Sequence, residues 1–246
     1  MDTILQTSLE SLIGARLQKV VPVSGGDIAL SYLLETNSDR LFCKYLQTPQ
    51  ALDLFQCERD GLEAIRLTNI IKAPEVYFCE KVESGVVLLM EYIEARRPVA
   101  SDMSTFGTQL ALMHKETGVD FGWKSDNYIG SLRQINNRHQ HWIDFYVEER
   151  LLPQLEMARK RGMLAEKELP SGELMKNTLR EIMPEIQPSL LHGDLWGGNY
   201  LISTEGVPCL IDPATYFGHS EVDIAMSRLF GGFQDSFYQA YEQREL

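Results

Sequence analysis

Residues 190 to 214, LLHGDLWGGNYLISTEGVPCLIDPA, constrain the fold more than any other stretch of the chain. Two short apolar runs, YLIS and VPCLI, flank Thr204-Glu205-Gly206, where a glycine supplies the positive φ that a tight strand reversal needs. Polar groups crowd this apolar ribbon: His192, Asp194, Asn199 and Asp212. Pairing the strands about the turn predicts that Asn199 faces Asp212 at the open end. A side-chain carbonyl and a carboxylate then stand together as hard oxygen ligands suited to Mg²⁺. Asp194, on the loop entering the same end, is placed to accept a proton from an attacking hydroxyl. Gly193 and Gly197-Gly198 let the backbone turn tightly around the cluster. For any one of these residues a turn cap or strand start is the simpler reading. Four at this spacing favour a shared ligand.

The order His-x-Asp-x-x-x-x-Asn, followed by a further aspartate, is the grammar of kinase catalytic loops. Phosphoryl transfer needs an aligned nucleophile, a held phosphate and neutralised charge, and one base with two metal ligands is a minimal set for it. The competing two-metal hydrolase would call for more histidine and carboxylate ligands than five scattered histidines allow. If the ribbon holds Mg-ATP, three parts must precede it. Ser24-Gly25-Gly26-Asp27 is the candidate phosphate loop, although Gly-Gly is foremost a turn signal. Neither G-x-G-x-x-G nor G-x-x-x-x-G-K-[ST] occurs. Lys44, in the strand-like RLFCKYL, sits among apolar neighbours, where a lysine needs a partner or a phosphate. An acid on the following helix should orient it; Glu58 and Glu63 are both eligible, with Asp53 and Asp60 as outsiders. Main-chain groups near Glu91 and Ile93 are candidates to hold adenine, with Met90 packed behind it, although a plain core strand fits the pattern equally well.

The rest of the chain divides by character. KVVPVSGGDIALSYLLET reads as two strands, DRLFCKYLQ as a third, and APEVYFCEKVESGVVLLMEYI as a hairpin turning at Glu83-Ser84-Gly85. Between them, Leu52, Phe55, Leu62 and Ile65 recur near helical spacing. Beyond about residue 95, helices are expected in SDMSTFGTQLALMHKETG, HWIDFYVEERLLPQLEMARKRG, broken or kinked at Pro153, and GELMKNTLREIM. Only the ribbon at 190–214 and its neighbours should interrupt this helical half. The prediction is an α+β chain with a small strand-rich lobe, residues 1–93, and a larger, mostly helical lobe, residues 94–246. Ligands commonly bind in the cleft between two such bodies.

A net charge of −12 argues against bulk binding to nucleic acid or an anionic membrane, both of which need a basic face. The opening MDTILQTSLESLIGARL lacks the long apolar core of a signal peptide, and GVVLLMEYI is too short to span a bilayer. Cys43, Cys57, Cys79 and Cys209 lie far apart without a C-x-x-C pair and read as reduced, mostly buried thiols of a cytoplasmic protein.

HGDLWGGN, IDPATYFGHSEVDIAM and FGWKSDNYIGSLRQIN followed by HWIDFYVEERLLPQLEMA resemble the fructosamine kinase (ketosamine 3-kinase) family, a branch of the aminoglycoside-phosphotransferase-like kinases. The similarity covers essentially the whole chain. It implies a bilobal protein-kinase-like fold and ATP-dependent phosphorylation of a ketosamine sugar hydroxyl, with Mg²⁺ and ATP as cofactors and a small sugar-amine as partner. It favours Glu58 over Glu63 as the partner of Lys44. By the same match Asp194 is the base, Asn199 and Asp212 are the magnesium ligands, and Asp223 braces the catalytic loop. Trp196, Trp123 and Asn127 fall on the acceptor side, Trp123 being equally suited to the core. Departures are Ala29 where many bacterial members have asparagine, Asp27 where others have cysteine, and Arg133 where proline is common. The chain also ends at YQAYEQREL, where members usually carry further helices, so a shortened or differently closed helical lobe is expected. Another amino-sugar or alcohol acceptor, or a nucleotide-binding protein without catalysis, are the alternatives.

Overall fold

The computed structural model describes residues 1–23 and 28–245. Five antiparallel strands form the first sheet: β1 (Lys19–Val23), β2 (Leu30–Glu35), β3 (Arg40–Leu46), β4 (Val76–Val82) and β5 (Gly85–Glu91), in the order β1-β2-β3-β5-β4. Their two-residue period sorts side chains between its faces. Leu41, Cys43 and Tyr45 of β3 join Val87 and Leu89 of β5 on one face, where Leu5 and Leu9 of helix α1 (Thr3–Ile13) cover them. Leu46, Val86, Leu88 and Met90 take the other face, against Phe55, Leu62 and Ile65 of helix α2 (Ala51–Leu67). Lys44 shares the parity of Leu46, so it too points to the α2 side, and this alternation delivers it to the acids of that helix. Helix α1 was not foreseen; its Asp2 carboxylate caps Leu5 N at 2.7 Å and Gly14 ends it at φ +70°.

The two-residue strand β6 (Ala95–Arg96) leads into α3 (Ala100–Met113), whose first turn holds Ser101 and Asp102. Asp102 serves the cap by accepting from Val99 N at 2.9 Å, while also holding Arg96. A small hairpin, β7 (Asn127–Ile129) and β8 (Leu132–Gln134), interrupts the helical part where no strand was expected. The expected long helix begins as α4 (Trp142–Phe145), widens into a π-type stretch over Tyr146–Leu151, and continues as α5 (Leu152–Lys160). The irregularity is that widened stretch just before Pro153, whose missing N–H takes one bond out of the continuing helix.

Helix α6 (Gly172–Ile182) precedes β9 (Ser189–Leu190), β10 (Tyr200–Ser203), β11 (Pro208–Leu210), β12 (Phe217–Gly218), α7 (Glu221–Phe230) and α8 (Asp235–Glu245). Strand β10 lies between β11 and β6, and β9 pairs with β12, so strands recur in the helical half more often than the sequence suggested. Helix α8 packs along α3 with Phe237 and Tyr241 buried. One apolar cluster runs from the α2 face of the large sheet through α3 and the β10–β11 ribbon to α7 and α8, joining the strand-rich and helical parts. Among the described residues no helix is long and apolar enough to cross a membrane.

Candidate active site

The β10–β11 ribbon forms as expected around Gly206, which takes φ +87°. Its register differs by one residue. Tyr200 pairs with Leu210, and Ile211 N–H donates to Asn199 O at 3.1 Å, so Ile211, not Asp212, faces Asn199. The chain then enters the left-handed region at Asp212, φ +53°, a conformation that aspartate tolerates better than most residues. The carboxylate of Asp212 thereby meets Lys44 Nζ at 2.5 Å.

Lys44, only 8% exposed, also donates to Glu58 Oε1 at 2.7 Å. The geometry thus selects Glu58 from the candidate acids; Asp53 and Asp60 of α2 are bonded to Tyr128 and Lys124 instead. Burial alone would lower the lysine's pKa, but the two carboxylates override it and hold the ammonium above its usual range. Burial pushes Glu58 up to about 7 against the opposing pull of Lys44, with Asp212 adding to the rise. With Glu58 ionised, two carboxylates face one ammonium and the cluster carries a net negative charge.

The loop before the ribbon is held from behind. Asp223, fully buried in the first turn of α7, accepts from His192 N at 2.7 Å, Gly193 N at 2.9 Å and His114 Nε2 at 3.1 Å. Burial would raise its pKa, yet His114 and the loop's donors hold the carboxyl below the ordinary aspartate range. His192 accepts from Asp194 N at its Nδ1, 3.2 Å away, and donates from Nε2 to Ile211 O at 2.8 Å, so one imidazole ties the loop to the strand end. Gly193, at φ +84°, lies so close to Ala214 O that a side chain there would collide with backbone. Asn199 Nδ2 donates to both Asp194 O (2.8 Å) and Asp194 Oδ2 (2.9 Å), which fixes the aspartate and leaves Asn199 Oδ1 as its acceptor end.

Lys44, Glu58, Asp194, Trp196, Asn199 and Asp212 line one cleft, together with Ile28, Ala29, Tyr128 and Pro213. Trp196 is 40% exposed and lies over Gly198, where a side chain would strike its indole. Other expected site residues fall elsewhere. Trp123 is half-buried and packs against Phe217, ring centroids 5.5 Å apart, at the edge of the apolar core. Asn127, expected on the acceptor side, is 4% exposed; its Nδ2 donates to Thr215 O at 2.9 Å and its Oδ1 accepts from Gln134 Nε2 at 3.1 Å. Both amide ends are consumed within the chain, which removes Asn127 from the cleft lining. Met90 and Ile93 are buried, and Glu91 bonds Lys72 through its carboxylate and Glu75 O through its N–H. Ser24, Gly25, Gly26 and Asp27 lie outside the described residues. Tyr128, not anticipated, lines the cleft and donates to Asp53 Oδ2 at 2.5 Å. Its position beside Asn127 in the NYIG string was the available signal.

A strand-rich lobe that presents a paired lysine to a loop bearing Asp194 and a ribbon bearing Asn199 and Asp212 is the architecture of the protein-kinase-like phosphotransferases. A crystal structure of a spectinomycin phosphotransferase in complex with ADP and spectinomycin shares the fold, with a TM-score of 0.60 at 15% identity over 98% of this chain and 80% of that one. Much closer is a putative fructosamine-3-kinase from Haemophilus somnus, with a TM-score of 0.85 at 26% identity over 98% of this chain and 82% of that one. A probable ketoamine kinase from Synechocystis is 39% identical over 230 residues, 92% of this chain and 76% of that protein. The ketosamine-3-kinase of Mus musculus is 33% identical over an alignment that covers 98% of this chain and 86% of that protein. The profile described as Fructosamine kinase matches residues 1–245, and the chain belongs to the fructosamine kinase family.

Proposed function

We propose that this chain transfers the γ-phosphoryl group of ATP to a sugar hydroxyl of a ketosamine, a fructosamine or ribulosamine adduct. One observation carries the reading: Lys44–Glu58, Asp194, Asn199 and Asp212 arrive from separate elements at a single cleft. Residues 1–93 act as the nucleotide-binding lobe and residues 94–246 as the catalytic lobe. The nucleotide's base lies toward Met90–Ile93. Lys44 steadies the phosphates while Glu58 holds the lysine in place.

Asn199 Oδ1 and the Asp212 carboxylate are the hard oxygen donors that fit Mg²⁺, and the surplus negative charge around Lys44 favours a divalent cation. When bound, the metal would neutralise charge on the ATP phosphates. Asp194, its Oδ2 held by Asn199, takes the proton of the attacking hydroxyl through Oδ1. The hydroxyl oxygen forms its bond to the γ-phosphorus as the bond to ADP breaks. Trp196 offers an exposed aromatic face to the acceptor, and the free thiols suit a cytoplasmic setting.

The test is Asp194→Asn, an isosteric change that keeps the donor from Asn199 in place. Transfer of ³²P from ATP to a model fructosamine should fall by about 10²–10⁴-fold, the usual contribution of a general base, with the thermal midpoint close to wild type. Turnover at the wild-type rate would refute the assignment of the base. ATP binding without transfer by the wild-type protein to any ketosamine or amino-sugar would refute the enzyme reading itself.

A further inference from the structure

The string WKSDNYIG, residues 123–130, carries much of the family resemblance, yet its asparagine and tryptophan do not line the cleft. Lys124, Asp126 and Tyr128 reach one helix, two through their side chains and Asp126 through its carbonyl. Tyr128 Oη donates to Asp53 Oδ2 at 2.5 Å, Cys57 Sγ donates to Asp126 O at 3.3 Å, and Lys124 Nζ pairs with Asp60 Oδ2 at 2.7 Å. Asp53, Cys57 and Asp60 are four and three residues apart, so they share one face of α2. The segment therefore runs along that face in the opposite direction, contacting it with every second residue. Arg133, the departure from the family's proline, braces the same segment through Asp126 Oδ2 at 2.6 Å.

The intervening residue points the other way. Asn127 Nδ2 holds Thr215 O, three residues beyond Asp212. Gly61 of α2 meets the same stretch: a Cβ there would lie 2.9 Å from Pro213 Cγ and 3.0 Å from Thr215 Oγ1. One segment thus grips both α2, which bears Glu58, and the chain that follows Asp212. These are the two carboxylates that hold Lys44.

We propose that Lys124–Tyr128 is a positioning splint for the nucleotide side of the cleft, fixing α2 and the Asp212–Thr215 stretch so that Glu58 and Asp212 converge on Lys44. This rests on the kinase reading above but assigns the segment a role that reading does not need. Asn127, Lys124 and Asp53 are positioning residues that touch neither reactant; Tyr128 also lines the cleft and is left out of the test for that reason.

The full chain is compared as wild type, Asn127→Leu, Lys124→Met and Asp53→Ala. Calorimetry gives the ATP dissociation constant with Mg²⁺ present, steady-state kinetics with a fructosamine give the acceptor KM, and a thermal scan reports folding. Each variant should weaken ATP binding by about threefold to tenfold, with the acceptor KM within about twofold of wild type, as expected for loss of single positioning contacts. A raised acceptor KM with unchanged ATP affinity would overturn the proposal in favour of an acceptor contact. Unchanged ATP affinity and acceptor KM in folded variants would overturn it in favour of a purely structural segment. Lys124→Met and Asp53→Ala are surface changes that decide the matter even if Asn127→Leu does not fold. A wild-type protein that binds ATP but phosphorylates no ketosamine would remove the kinase reading while the calorimetric comparison still judges the splint.

Discussion

Asp194 is a buried carboxyl whose surroundings pull in both directions. Burial raises its pKa, His192 and the Asn199 amide lower it, and Asp212 and Asp223 raise it again, with a net rise above the ordinary aspartate value. A base works only when deprotonated, so kcat/KM should fall with falling pH at a higher pH than an unperturbed aspartate would give. A pH–rate profile of the wild-type protein at subsaturating acceptor checks it; an acid limb at or below the ordinary aspartate range would contradict the assignment. The four thiols illustrate the opposite use of burial. Cys43 and Cys209 are pushed up to about 12, which keeps them protonated and chemically quiet.

At the scale of elements, helix contacts depend on small residues at two close approaches. Gly61 lets α2 lie against Pro213 and Thr215, and Gly107 lets α3 lie against the backbone of α8 at Phe237. No side chain fits at Gly107 without moving Phe237 O. Gly107→Ala should therefore destabilise the chain by about 1–3 kcal/mol despite alanine's better helix propensity, because overpacking outweighs the propensity gain of about 1 kcal/mol. A lower urea midpoint with an unchanged slope is the expected reading; a stabilised variant would show that α8 moves freely along α3. The consequence would extend to the site, since Tyr241 of α8 bonds His114 Nδ1 at 2.7 Å and His114 in turn bonds Asp223.

For the whole molecule, two buried carboxyls bend the stability curve in opposite senses. Asp223 has a lowered pKa, so the unfolded chain binds more protons in that range than the folded one. Its contribution is complete above the ordinary aspartate value of 3.8 and is lost as pH falls through the depressed value. Glu58 is raised from 4.5 to about 7, so the folded state binds the extra proton. Its contribution is present below 4.5 and is lost as pH rises through about 7. Urea midpoints measured across pH should show both limbs. Glu58→Gln should flatten the decline toward neutrality and Asp223→Asn the acid loss; a Glu58→Gln protein with the wild-type slope between those values would contradict the raised pKa.

Local grammar was enough to place the strands of the first sheet, the Lys44 strand among them, helix α2, the Gly206 turn and the Asp194–Asn199 loop. Two-residue and 3.6-residue periodicities, glycine at a reversal and fixed motif spacing are properties of short stretches, and they survive folding unchanged. The choice of Glu58 came from resemblance, because two acids on one helix look alike until the helix is docked. Tertiary structure alone decided the one-residue register of the ribbon, which the left-handed turn at Asp212 offsets by redirecting its carboxylate to Lys44. It also set Asn127 on Thr215, Trp123 on Phe217 and Lys124 to Tyr128 along α2, partners far apart in the chain that meet only when distant surfaces pack.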